Sequence, residues 1–430
     1  MSRLAEVLVP ARLGVGFRWL LASSWLSNLG DGIALAAGPL LVASLTRNPF
    51  FVALAATVQW VPPLLFGLLA GALTDRLDRR LIVISVDLGR AAVLAVLTLA
   101  ITTDQVSIAV VLLALFVLAT AEVFADNSAQ TLLPMLVARD DLAIANSRLQ
   151  TGFITVNQLA GPPLGAVLFT AGAAWAFGAQ AIVVALGAVL MTRVAVPPHR
   201  VESERRTHLW HDIAEGFGWV RHHAAVRTLV LTIFTFNITF GAAWSVLVLY
   251  ATRRLGLGEI GFGLVTTVSA VGGLVGTVSY GWITRRVSLG NLMRIGLVVE
   301  TLTHLALALT TSPWVAMPVF FVFGAHAFIW GTTSVTVRQR AVPQALQGRV
   351  GSVNLVGVFG GLVIGSGIGG LLAQHFGLAA PFWFAFGGSA VFVVLIWRQL
   401  RHIAHADEQP VAPHPAVGSA SAVDDGRLDH

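Results

Sequence analysis

The chain of 430 residues contains no cysteine, and its 27 basic residues are all arginine, because lysine is absent too. Without cysteine there is no disulfide, no thiolate nucleophile and no thiolate-ligated zinc or iron–sulfur centre. Without lysine there is no Walker-A clamp for ATP and no Schiff-base chemistry. Charge of any sign is scarce: 11% of residues are charged, less than half the roughly 25% of a soluble domain. No metal-ligand spacing and no catalytic triad stands out, so neither a metal nor a cofactor is expected, and an enzyme is disfavoured.

What is present is hydrocarbon: 56% of residues are hydrophobic and the mean hydropathy is +0.79. A membrane-spanning helix needs roughly 20 mostly apolar residues. Twelve such runs can be read, at about 18–45, 50–73, 81–103, 106–126, 145–171 and 174–196, then 226–252, 260–284, 291–312, 314–337, 350–374 and 377–400. The expected fold is therefore an all-α integral membrane protein. The expected organisation is an N-terminal segment 1–17, a six-helix bundle 18–196, a linker 197–225 with an interfacial helix, a second six-helix bundle 226–400 and a disordered tail 401–430. Arg3, Arg12 and Arg18 precede the first run, with no small-residue cleavage site after a short core, which reads as an uncleaved first span.

The arginines lie at the ends of apolar runs rather than in one patch, which argues for membrane topology and against nucleic acid despite a pI near 11.1. With the N-terminus inside, Arg76, Arg79, Arg80, Arg139, Arg148, Arg285, Arg286, Arg294, Arg338, Arg340 and Arg349 fall in inside loops, while the opposite loops carry Arg47, Arg253 and Arg254. Both termini are expected in the cytoplasm of a cell that holds the chain in its inner or plasma membrane. The Arg253 and Arg254 pair is the dissonant note.

The loop 71–80 reads Gly71, Ala72, Leu73, Thr74, Asp75, Arg76, Leu77, Asp78, Arg79, Arg80, and a degraded copy appears at 281–286. Thr74 and Arg76 match Thr284 and Arg286 at an offset of 210, and Gln130 and Pro134 match Gln339 and Pro343 at 209. Halves of the same topology place a ligand site at their interface near the midplane. Two acids, Asp75 and Asp78, among Arg76, Arg79 and Arg80 are more than a positive anchor requires. They read as a cytoplasmic gate of ion pairs, with Gly71 permitting close helix approach.

The pattern Gly-x-x-x-Asp-Arg-x-x-Arg-Arg after a second span resembles the signature loop of the major facilitator superfamily, with Asp78 where many members have Gly. The run from Thr46 to Pro49, then Gln59, Pro62, Pro63, Leu132, Leu133, Pro134, Ala145 and Asn146, is similar to the branch of enterobactin exporters and macrolide efflux proteins, as are Ala214, Glu215, Gly216, Arg221, His222 and His223 in the linker. The resemblance spans about 15–400 and implies two pseudo-symmetric six-helix bundles, with the first, fourth, seventh and tenth spans lining a cavity. Gly161, Pro162, Pro163, Leu164 and Gly165 resemble the Gly-Pro-x-x-Gly-Gly element of the superfamily's antiporters, with Ala166 at the last Gly. Gly161, Pro162 and Gly165 are thus expected to form a pivot or seal.

Ionisable residues inside spans are costly in hydrocarbon and face a cavity or a partner. Asp31, between Gly30 and Gly32, lies about 13 residues into the first span, roughly 20 Å deep at about 1.5 Å per residue. The resemblance makes it the leading site for a proton or cation, and a structural carboxylate capped by Asn28 or Ser27 is the alternative. Asp87 with Arg90 and Glu122 with Asp126 each share a helical face and are expected near the cytoplasmic ends, as part of the gate. Glu300 and His304 share a face of the ninth span, which the resemblance makes peripheral, so a polar pair between helices is the alternative to proton or substrate binding there; His326, in the cavity-lining tenth span, is a further candidate. Trp25, Asn28, Gln59, Trp60, Phe236, Asn237, Trp244, Phe328, Trp330 and Asn354 are candidate walls of an aromatic, amide-lined cavity.

The expectation is a secondary active transporter working by alternating access, exporting a drug-like, macrolide-like or siderophore-like small molecule in exchange for protons. The proton-motive force would drive it, and its partners would be substrate, protons and the bilayer around a monomer. Proton-coupled uptake of a small metabolite is the alternative, and a non-transporting membrane enzyme or sensor a more distant one.

Overall fold

Ten helices that are long and apolar enough to cross a bilayer dominate a computed structural model, which describes residues 11–74, 77–195 and 209–400. In chain order they and their neighbours are α1 (Gly14–Leu45), α2 (Pro49–Thr74), α3 (Arg79–Thr102), α4 (Ile108–Leu136), α5, α6 (Ala173–Met191), α7 (Leu209–His222), α8 (Ala224–Trp244), α9 (Glu259–Thr284), α10 (Leu289–Leu309), α11 (Pro313–Ala341), α12 (Gln347–Phe376) and α13 (Ala380–Ile396). The fifth element, α5, is composite: Leu142–Gly152 and Gly161–Ala171 are joined by a π-helical segment, Phe153–Ala160. With α5 and the shorter apolar α13, the long helices make twelve candidate spans among the described residues, with α7 between the sixth and seventh.

Local sequence sets the helix ends. Asp78, Ser107 and Ser288 cap α3, α4 and α10, each side-chain oxygen accepting from backbone N–H groups of the first turn. Pro49 and Pro313 open α2 and α11, where a missing N–H costs nothing. The long helices leave large apolar side chains uncovered, among them Val278, Val394 and Leu395. Such a surface suits lipid.

The main departure in span limits is α4. Hydropathy ends the fourth span at 126, because two acids depress it there; the helix instead continues to Leu136, so Glu122 is the fifteenth of its 29 residues. A second departure is the Arg253 and Arg254 pair. The Arg254 side chain donates to the carbonyls of Ala308 (2.8 Å) and Thr310 (3.2 Å) at the C-terminus of α10, and Arg253 donates to the Arg47 carbonyl at 3.1 Å. Arg254 thus satisfies helix-end carbonyls, where a cation is favoured by the dipole, and Arg253 a carbonyl of the connection between α1 and α2.

Core packing differs between the two ends. At the end of Arg47 and Arg253, one core combines both halves: Ile33 to Val42 of α1, Val52 and Ala53 of α2, and Phe169 meet Ala243, Tyr250, Phe262, Ala373 and Phe382. At the other end the halves keep separate cores. Phe17, Leu20, Val83, Leu132 and Met191 make one, while Leu229, Met293, Leu297, Val337 and Val393, with a satellite around Val226, Val342 and Val350, belong to the second half. Among the described residues the halves are thus joined at one end and open at the end that holds the loop 77–80.

Two helix pairs join the halves, α2 with α12 and α5 with α9. Trp60 and Phe359 meet across the first with ring centroids 6.1 Å apart, and across the second the Thr267 hydroxyl donates to the Leu159 carbonyl of the π segment at 3.2 Å. The linker helix α7 attaches to the second half through an ion pair of Glu215 with Arg349 at 2.5 Å. At its end Trp219 stacks on His223, centroids 4.6 Å apart, and burial holds the His223 imidazole below its ordinary range.

Candidate functional site

The site in the first half begins with a helix crossing. Gly32 of α1 lies so close to α5 that a Cβ there would sit 2.9 Å from Gly161 Cα and 2.6 Å from the Asn157 carbonyl oxygen. Gly165 lies equally close to the Ile33 backbone. The backbones approach because neither helix has a side chain at the contact, which is how helices associate where no hydrophobic force acts between them. Pro162 and Gly165 are buried in this crossing, and on the other face Gly263 of α9 meets Ala166 and Pro162. The expected pivot residues therefore pack between α1 and α9, next to a π segment that was not read from sequence. Ala166, which departs from the antiporter pattern, faces a glycine that leaves it room.

Asp31 follows from that crossing. Its carboxylate is ion-paired to Arg90 of α3 through one guanidinium nitrogen, while the other nitrogen bonds Asp87 at 3.1 Å and approaches the Ser27 hydroxyl at 3.4 Å. Arg90 and Asp87 are 3% and 1% exposed, so the pair is held away from water by the bundle. Glu122 and Asp126 lie within electrostatic reach of Arg90, Asp31 and Asp87. Two carboxyls thus bond the guanidinium directly, while Glu122, half-buried, and Asp126, exposed, stand farther off on α4.

Two sequence expectations are corrected here. Asp87, Arg90, Glu122 and Asp126 lie deeper than the span ends where they were expected, and they stand with Asp31 in one cluster, because α4 continues past both acids and Arg90 reaches α1. Asp31 is not capped by Asn28, whose amide donates to the Ser24 carbonyl at 2.8 Å. Gln180, 2% exposed and packed at Gly30, is a neighbour that sequence reading missed; its side-chain oxygen is buried without a hydrogen-bond partner. Amide side chains in apolar runs were the available signal.

Of the loop gate, Asp75 and Arg76 lie outside the described residues, and Gly71 falls in the last turn of α2. Asp78 serves as a helix cap. Its carboxylate accepts from the backbone N–H of Arg80 at 2.9 Å and of Leu81 at 3.2 Å, so it is spent on capping α3. Arg79 donates to the Thr131 carbonyl at 3.3 Å and Arg80 to that of Thr192, tying the start of α3 to the ends of α4 and α6.

In the second half, Glu300 of α10 sits between two imidazoles: His326 Nε2 lies 3.5 Å and His304 Nε2 4.0 Å from its oxygens. Helical spacing pairs Glu300 with His304; the fold adds His326 from α11. A cavity of about 220 Å³ opens beside them, lined by Ile233, Phe236, Asn237, Phe240, Glu300, Phe323, His326, Ala327 and Trp330. Of the expected wall residues, Phe236, Asn237 and Trp330 line it, and Trp244 stands behind, 4.5 Å from the rings of both Phe240 and Phe323. The others lie elsewhere. Trp25 packs on Gly152, Gln59 donates to the Ala55 carbonyl at 3.1 Å, Trp60 meets Phe359, Phe328 packs on Gly273, and Asn354 has a buried oxygen without a partner. Phe240 and Phe323 were missed because aromatics in an apolar run look like lipid-facing residues.

Two helical halves joined at one end, with an ionisable cluster inside the spans of each, describe a multi-pass membrane protein of two bundles. The sequence profile of the transmembrane secretion effector family matches residues 5–427, and the chain belongs to that family. It is 28% identical over 398 residues to the multidrug efflux pump Tap of Mycolicibacterium fortuitum, covering 87% of this chain and 91% of that one. It is 22% identical over 366 residues to macrolide efflux protein A of Streptococcus pyogenes, covering 82% and 87%. A solved mutant of the nucleoside transporter NupG superposes with a TM-score of 0.74 at 12% identity over 89% of this chain and 99% of that one, a likeness of fold. Membership is in a transporter family rather than an enzyme family.

Proposed function

We propose that the chain exports hydrophobic or amphipathic small molecules across the cell membrane in exchange for protons, by rocking two six-helix bundles, 18–196 and 226–400, about their joined end. The observation that carries this reading is the Asp31, Asp87, Arg90, Glu122 and Asp126 cluster. Arg90 is shared by Asp31 and Asp87, with half-buried Glu122 within electrostatic reach and Asp126 on the exposed side, so the cluster holds more carboxyls than guanidiniums at a depth where uncompensated charge is costly. Protons are the natural compensation. Their arrival and departure change how strongly Arg90 ties α1 to α3, beside the α1–α5–α9 crossing that joins the halves.

The arginine-rich loops support an orientation with both termini in the cytoplasm. On that orientation the end where the halves keep separate cores faces the cytoplasm, and cargo is proposed to enter from that side. Substrate enters between the halves and reaches the aromatic cavity of α8, α10 and α11. Proton loading from outside would occur in the opposite state, after the halves have rocked about α2–α12 and α5–α9. Export, rather than uptake, is supported by the names of the relatives, which are efflux proteins, and by the antiporter-like Gly161, Pro162 and Gly165 element. The substrates proposed are drug-like, macrolide-like or siderophore-like, carried by a monomer without a cofactor.

Deletion and overexpression with a panel of dyes, macrolides and siderophores test this reading. Overexpression is expected to lower accumulation of at least one class several-fold, reversibly on collapse of the proton gradient. Accumulation unchanged across the panel contradicts it.

A further inference from the structure

The two halves treat their buried acids differently. The first half supplies Arg90, whereas the spans of the second half contain one acid besides Glu259 at the first residue of α9, and that acid is Glu300. Among the described residues its ion-pair partners are the imidazoles of His326 and His304, with no guanidinium. His304 is fully buried; neither of its ring nitrogens has a hydrogen-bond partner, and its ring meets Trp244 edge to face with centroids 6.0 Å apart.

The cavity beside Glu300 has a second property that points the same way. Phe240 and Phe323 lie nearly parallel, 5.8 Å apart with 8° between their planes, and Phe236 and Trp330 complete the wall. The negative faces of aromatic rings attract cations and repel anions, as the carboxylate does. At about 220 Å³ the space is below the roughly 300–1,000 Å³ of a drug-sized site. It suits the head of an amphipathic molecule, not the whole.

We propose that this cavity binds the cationic head of an amphipathic ligand, an alkylammonium or quaternary ammonium group, with Glu300 reading its charge and the Phe240, Phe323 and Trp330 rings enclosing it. The proposal rests on the export reading and names the charge class of its cargo. Glu300 is then a specificity residue that admits cations and turns away anions of the same shape. His326, on the adjacent helix, holds the carboxylate towards the cavity.

The test compares two soluble probes with one aromatic tail and opposite heads, 4-phenylbutyltrimethylammonium and 4-phenylbutanesulfonate. Their binding to the full chain in lipid nanodiscs is measured by calorimetry against empty nanodiscs. The cation is expected to bind at least tenfold more tightly than the sulfonate. Glu300→Gln is expected to weaken cation binding at least tenfold, and Phe323→Leu several-fold. Equal affinity of the wild-type chain for the two heads overturns the proposal without reference to any variant, as does a Glu300→Gln chain that keeps the preference. Charge-selective binding that persists where proton-driven transport is absent would instead overturn the export reading and leave the site standing.

Discussion

Arg90 of α3 holds Asp31 of α1 with one nitrogen and Asp87 with the other, and so fastens the helix that crosses α5 at Gly32 to its neighbour in the bundle. Removing this guanidinium leaves two carboxyls facing each other without a counter-charge. Breaking a buried pair costs about 3–5 kcal/mol. Arg90→Met is therefore expected to lower the thermal unfolding temperature of the purified protein markedly and to reduce its yield in membranes. Combining it with Asp31→Asn should lose less than the sum of the two single effects, because both act on one network. Additive losses in thermal unfolding would show that the residues are not coupled.

That cluster was half legible in the sequence. Each acid was visible as a charge within an apolar run, and the i, i+3 and i, i+4 spacings put Asp87 with Arg90 and Glu122 with Asp126. Arg90 could be set against both pairs from sequence; what sequence did not reveal was that Asp31 joins them, because that depends on how α1 and α3 both pack on α4 and on α4 running ten residues past Asp126. Hydropathy counts a paired acid as if it faced lipid. The same blindness set Asp78 among gate residues, although a carboxylate two and three residues ahead of helical N–H groups is also a cap. His326 illustrates the remaining gap: nothing in the spacing of residues 300 and 326 shows that they meet.

The joined end offers a mechanical prediction. A Cβ on Gly370 of α12 would lie 2.7 Å from the Ala53 Cβ of α2, so cysteines at these positions need about 1 Å of separation to form a disulfide. The chain has no other cysteine to interfere. Ala53→Cys with Gly370→Cys is expected to cross-link on mild oxidation and to abolish transport, with recovery on reduction. A cross-linked protein that transports at the wild-type rate would exclude opening at this end.

The linker carries a pH-dependent element outside the spans. His223 caps α8 by accepting from the Val226 N–H, which its neutral ring alone can do, and burial holds its pKa below the ordinary 6.5. The folded chain therefore takes up the proton at lower pH than the unfolded one. The stabilisation is fully present above pH 6.5 and declines as pH falls below it. Wild-type unfolding temperature should drop between about pH 7.5 and about pH 5 more steeply than that of His223→Asn, which keeps a capping oxygen without a titrating group. Parallel curves would remove His223 from the pH response.

Proton exchange through Asp31 is the claim on which the rest depends, and acid-loaded everted vesicles measure it directly. On addition of a transported substrate, vesicles with the wild-type chain are expected to release protons, and vesicles with equal amounts of Asp31→Asn to release none. Substrate-driven proton release of wild-type size from the Asp31→Asn vesicles would contradict it.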